Sequence, residues 1–291
     1  MTDRLKGYLW GITAAAAYGT NPLFALPLYG RGMSPDSVLF FRYLPSLPVI
    51  ACLLKAQGGN FRIQKRAVLP LFILGMMVAL SSLSLFVSYK YIGAGIASTL
   101  LFLYPVFVAV IMALFFKEHV TARIVLCIAI ALAGIGLLYK GDSGAALNTT
   151  GIVWIFISAL SYAVYLVAVN HSELKKLPTL KLTFYLLAFG TQLFLVRAKF
   201  GLNLQVPDTL FEWADLACFA ILPTAFSFYG TTRAIQYIGS TPTAILGALE
   251  PATAVFLSVM IFAEPFTLRI FAGMAMIICS VALIAANGTR K

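Results

Sequence analysis

Ten apolar stretches divide the chain, at approximately 7–28, 37–54, 67–89, 95–116, 123–140, 151–169, 180–198, 214–234, 242–262 and 267–286. A helix crosses a bilayer with about 20 mostly apolar residues. Polar residues gather in connectors too short to fold separately. The pattern predicts an all-α integral membrane protein of ten transmembrane helices with no soluble catalytic module.

A second pattern overlies the first. Tyr91-Ile92-Gly93, Pro105 and Glu118-x-x-Thr121-x-Arg123 return as Tyr237-Ile238-Gly239, Pro251 and Glu264-x-x-Thr267-x-Arg269, all at an offset of 146 residues. Half of the chain repeats, and the units are expected at 1–146 and 147–291. Five spans per unit is an odd number, so the second copy starts on the opposite side of the membrane. The architecture expected is two inverted five-helix repeats, which can close on either side by exchanging their conformations.

Composition agrees with a membrane protein. Hydrophobic residues make up 61% and charged residues 11%, against about 25% charged in ordinary globular domains, and the mean hydropathy is +0.93. The net charge of +11 would suggest a nucleic-acid partner in a soluble protein. Here topology explains it. Fourteen of the 21 Lys and Arg residues, among them Lys55, Lys65, Arg66, Lys175 and Lys181, fall in segments on the side of the N-terminus. The remaining seven, among them Arg31, Arg42, Lys90 and Arg197, fall on the other side. Basic loops stay inside, so both termini are expected in the cytoplasm.

Other readings of single features are weaker. Arg4 and Lys6 before an apolar run resemble a signal peptide. However, the run continues to about Leu28, and Gly7-Tyr8-Leu9-Trp10 has a counterpart in Gly151-Ile152-Val153-Trp154 at an offset of 144, so the segment is read as a retained helix. Cys52, Cys127, Cys218 and Cys279 stand singly in apolar stretches and are read as packing residues. No metal or cofactor is expected, because close ligand spacing is lacking. His119 and His171 have no reactive partners at useful spacing, which argues against an enzyme.

Tyr104-Pro105 in the fourth span, Glu250-Pro251 in the ninth, the acidic span ends at Glu118 and Glu264, and Phe41-Arg42 carry a family resemblance. The chain resembles the drug/metabolite transporter superfamily in its EamA-like branch. The resemblance covers nearly the whole chain and implies a ten-span carrier of small metabolites, often an exporter, in the cytoplasmic membrane. It also implies a central cavity lined by helices of both repeats.

Polar faces locate a candidate path. Ser81, Ser84 and Ser88 recur at i, i+3, i+7 in the third span, and Thr224, Ser227 and Thr231 do so in the eighth. Their offset is 143, three short of the downstream register, so an insertion of about one turn is expected in the second copy. Tyr18 and Asn21 share a face of the first span, and Tyr162 and Tyr165 share one in the sixth. These residues either line a substrate path or serve helix packing, where small polar residues are common.

Glu250 is the sharpest single residue, a carboxylic acid deep in the ninth span. It either takes up and releases protons or remains ionised to hold an ammonium or a basic partner. The structural alternative is a bond to the carbonyl of residue 247, which Pro251 frees. Tyr104 holds the equivalent place without an acid. Pro105 and Pro251 are expected to form a paired hinge. Arg42 is expected to snorkel to the outer interface, the alternative being capture of an anion at the outer mouth. A lack of deep basic residues disfavours phosphorylated substrates.

These readings converge on a secondary transporter of the cell inner membrane that works by alternating access. Export of amino acids or related amphipathic compounds is expected, with protons as a candidate coupling partner. The alternatives are an efflux carrier of broad specificity and a membrane channel.

Overall fold

The computed structural model describes residues 2–116, 148–247, 249–263 and 266–288, with isolated positions between 126 and 137. Most of the fifth stretch, together with Glu118, Thr121, Arg123, His119, Cys127 and Glu264, lies outside these described residues. Among them every regular element is helical. The longer helices are α1 Asp3–Tyr18, α2 Asn21–Gly30, α3 Pro35–Tyr43, α4 Ser46–Ala56, α5 Lys65–Ser88, α6 Ala94–Leu101 and α7 Tyr104–Phe116 in the first half. The second half has α8 Thr149–His171, α9 Thr179–Arg197, α10 Leu210–Phe219, α11 Ser227–Ile238, α12 Ser240–Leu246, α13 Leu249–Phe262 and α14 Leu268–Gly288.

Seven helical stretches among the described residues are long and apolar enough to cross a membrane. Two are single unbroken helices of nearly equal length, the 24-residue α5 and the 23-residue α8. At 1.5 Å per residue each spans about 35 Å, the scale of a hydrocarbon core. Others are broken. The stretch 94–116 divides between α6 and α7, and 242–262 divides between α12 and α13. Pro105 and Pro251 follow these breaks within the first turn of the next helix, where a missing N–H costs little. The two spans are therefore discontinuous helices rather than helices kinked at proline.

Packing is reciprocal between the halves. Helix α1 packs along α11 while α8 packs along α5, and the broken spans cross with α6 against α13 and α7 against α12. Two glycines make the long contacts close. A Cβ on Gly7 would stand 2.6 Å from Ile238 Cγ2, and one on Gly151 would stand 3.0 Å from both Ile92 and Tyr91. Gly7 and Gly151 are repeat counterparts, as are Tyr91-Ile92 and Tyr237-Ile238.

The insertion expected from the register is present as helix. Helix α5 ends at Ser88, whereas its counterpart α11 runs past Thr231 to Ile238. That extra turn carries Gln236, whose Nε2 donates to Leu177 O at 2.8 Å and Lys175 O at 3.2 Å and whose Oε1 accepts from Thr179. The sequence pattern did not reveal the π-helical segment Ala220–Phe226 that precedes α11. Pro223 removes a donor there, and Thr224 Oγ1 donates five residues back to Phe219 O at 2.8 Å.

Polar latches occupy the two ends of the bundle. At one end Arg197 pairs with Asp36 at 2.6 Å, Arg31 stands 3.6 Å from Glu212, and Gln205 binds Gly32, Ser34 and Ser37. At the other, Lys181 donates to Asn60 at 2.9 Å and to Arg62 O at 3.0 Å, and Tyr185 donates to Phe61 O. Between these ends the outer surface exposes Leu69, Leu114, Phe115, Phe256 and Met260. Such a surface suits lipid, because helices satisfy their backbone internally and leave apolar side chains to face hydrocarbon. Cys52, Cys218 and Cys279 lie on this exposed surface rather than in the packed core, which corrects their expected placement. Asn148, part of a glycosylation-like triplet, caps α8 through a bond from Thr150 N.

Candidate substrate site

The discontinuous spans meet faces of three other helices at a small cavity within the bundle. It holds about 10 Å³, room for about one water. Gly11 and Ala15 reach it from α1, Tyr162 and Leu166 from α8, Thr231 from α11, and Tyr104 from α7. Thr243, Gly247 and Glu250 complete it from the broken ninth span.

Glu250 and Tyr104 meet at its centre. Tyr104 Oη donates to Glu250 Oε1 at 3.4 Å, so the residues that differ between the repeats contact each other. Gly247 permits this approach, since a Cβ there would fall 1.6 Å from the Tyr104 hydroxyl oxygen. The structural alternative for Glu250 is not what the geometry contains. The carbonyl of Gly247 accepts the backbone N–H of Glu250 at 2.9 Å, leaving the carboxyl directed to the tyrosine.

Aromatic rings extend from this centre. Tyr104 meets Tyr162 edge to face with centroids 4.8 Å apart, and Tyr162 stacks on Tyr18 at 6.3 Å. Tyr165 lies beside Tyr162 and bonds Thr232. Tyrosine offers an apolar face with a polar tip, which suits an organic ligand more than a bare ion.

The proposed path residues separate into groups. Tyr104, Tyr162, Thr231 and Glu250 line the cavity, and Tyr18 stacks behind it. Ser81, Ser88 and Ser227 make packing bonds. Ser81 Oγ lies 3.2 Å from Ser158 Oγ on α8, Ser88 donates to Leu85 O at 2.6 Å, and Ser227 to Ala14 O at 3.0 Å. Asn21 Oδ1 and Ser84 Oγ are buried without a hydrogen-bond partner.

Arg42 departs most from expectation. It does not reach the outer interface but is fully buried, with Nε donating to Thr224 Oγ1 at 2.6 Å and Nη2 to Pro223 O at 3.1 Å. The widened π-segment supplies both acceptors. Depth in a span says how far a side chain must travel to reach water, but not which way it points.

Gly11, Ala15, Thr243 and Gly247 escaped the sequence reading. The signal was present: Thr243, Gly247 and Glu250 recur at i, i+4, i+7, as do Gly11, Ala15 and Tyr18. These faces combine small residues with one polar group, a combination that lets helices approach closely around a ligand.

Membrane-length apolar helices with broken spans crossing at an aromatic centre are an arrangement that suits a transporter. The comparisons identify its family. The EamA-like transporter family matches residues 5–140 and 149–286, and the chain belongs to it. An uncharacterized transporter of Archaeoglobus fulgidus is 26% identical over 93% of each chain. The uncharacterized inner membrane transporter YicL of Salmonella typhimurium is 25% identical over 100% of this chain and 99% of its own. One crystal structure shares the fold with a TM-score of 0.72 at 19% identity, covering 98% of both chains. The protein is thus a multi-pass membrane transporter, working in a lipid bilayer on a small-molecule substrate.

Proposed function

We propose that the protein is a secondary transporter of the cell inner membrane that exports amino acids or related amphipathic metabolites by alternating access. Ten spans form two inverted five-helix units, 1–146 and 147–291, with both termini cytoplasmic. The contact between Tyr104 and Glu250, at the crossing of two discontinuous spans, carries this reading. Broken helices at matching places in two repeats are where carriers hold substrate. The reciprocal seating of Gly7 on Tyr237-Ile238 and of Gly151 on Tyr91-Ile92 supports two exchangeable halves. A centre with tyrosine rings, Thr231, Thr243 and one carboxyl suits a neutral or zwitterionic compound.

Purified protein in liposomes tests the proposal. With each labelled L-amino acid in turn, at least one is expected to show saturable uptake accelerated by unlabelled amino acid inside. Uptake equal to that of empty vesicles across the panel contradicts amino-acid transport. Flux that neither saturates nor responds to internal amino acid indicates a channel.

A further inference from the structure

We propose that Arg42 binds the carboxylate of the transported molecule, within the transporter reading above. A guanidinium has five N–H donors and is always charged. Here it is wholly buried, yet both of its acceptors, Thr224 Oγ1 and Pro223 O, are neutral. Its third nitrogen, Nη1, has no hydrogen-bond partner. None of the ion pairs among the described residues, Lys6–Asp3, Arg31–Glu212, Lys176–Glu173 and Arg197–Asp36, involves it.

Rings rather than acids surround this cation. The guanidinium carbon lies 4.7 Å from the Phe219 centroid, 5.3 Å from Phe86, 5.6 Å from Tyr18 and 5.8 Å from Tyr43. Ring faces attract a cation but do not cancel its charge. A buried charge without a counterion is strongly unfavourable, so the site is built for an anion to complete it. A carboxylate matches the planar donor fork.

The surroundings indicate what else the ligand carries. Tyr18 stands over Arg42 on one side and stacks on Tyr162 on the other, and Tyr162 meets Tyr104 and then Glu250. Arg42 and Glu250 thus lie at opposite ends of a row of tyrosines. An amphipathic zwitterion fits that order, with its carboxylate at Arg42, its apolar body along the rings and its ammonium towards Glu250. The competing role for Arg42 is a strut that only fixes the π-segment.

Thermal unfolding of the purified protein with matched probes separates the two roles. The pairs are L-phenylalanine with L-phenylalaninamide, L-leucine with L-leucinamide, and phenylacetate with phenylacetamide. At least one carboxylate is expected to raise Tm, with an apparent Kd about tenfold or more below that of its amide, the scale of a hydrogen bond to a charged group. Arg42→Gln should abolish this preference and Arg42→Lys should retain part of it. Equal stabilisation by acid and amide in the wild type, or no stabilisation by any carboxylate, overturns the proposal even if Arg42→Gln fails to fold. A full preference kept in Arg42→Gln overturns it as well. Carboxylate binding without transport in liposomes would instead sink the proposed export of amino acids alone.

Discussion

Among single residues Glu250 matters most, buried in the cavity with Tyr104 Oη as its hydrogen-bond partner. A carboxyl placed so deep changes the charge of the centre whenever it gains or loses a proton. If it couples transport to protons, Glu250→Gln fixes that charge at zero. Uptake by the variant should then be independent of pH from 5.5 to 8.5, at a rate at least about tenfold lower when a proton gradient drives the wild type. A variant that keeps the wild-type pH profile removes Glu250 from coupling. The acid, the tyrosine opposite it and the stacked tyrosines were legible in the sequence because depth and repeat register are written there. The direction of Arg42 was not. Its burial depends on the acceptors of the π-segment, about 180 positions away in the chain.

At the element scale the repeat register yielded more than composition did. It anticipated the extra turn in α11 and pointed near the paired breaks, which lie just ahead of Pro105 and Pro251. The π-segment escaped because its polar residues keep helical spacing. The wider turn shows in the backbone, and Thr224 Oγ1 donates five residues back to Phe219 O within it. Of the four serines in the two polar stripes, Ser88 and Ser227 donate to backbone carbonyls, Ser81 pairs with Ser158 and Ser84 has no partner, so periodicity located helix interfaces more than it located the cavity. The glycine contacts give a prediction for the packing of the elements. Gly7→Leu and Gly151→Leu should each destabilise the folded protein by about 1–3 kcal/mol through overpacking. The effects should be similar in kind, because the glycines are counterparts against counterpart neighbours. Thermal unfolding in detergent measures this, and a shift for one variant with none for the other contradicts reciprocal packing.

At the scale of the whole molecule, an all-helical membrane bundle was legible from ten apolar stretches, and the transporter class from the doubled motifs. The central cavity was not, because it depends on which faces of the broken spans cross. It is lined from both halves of the chain, an arrangement that alternating access requires. The central claim is that one cavity is reached from both sides of the membrane in turn. It is tested by Thr231→Cys in a background with Cys52, Cys127, Cys218 and Cys279 replaced by serine, reconstituted in one orientation. A membrane-impermeant thiol reagent is applied outside or trapped inside the vesicles. Labelling of the introduced thiol is expected from either side, each reduced when a transported amino acid holds the protein facing the other way. Labelling from one side only, whatever the amino acid gradient, would contradict it.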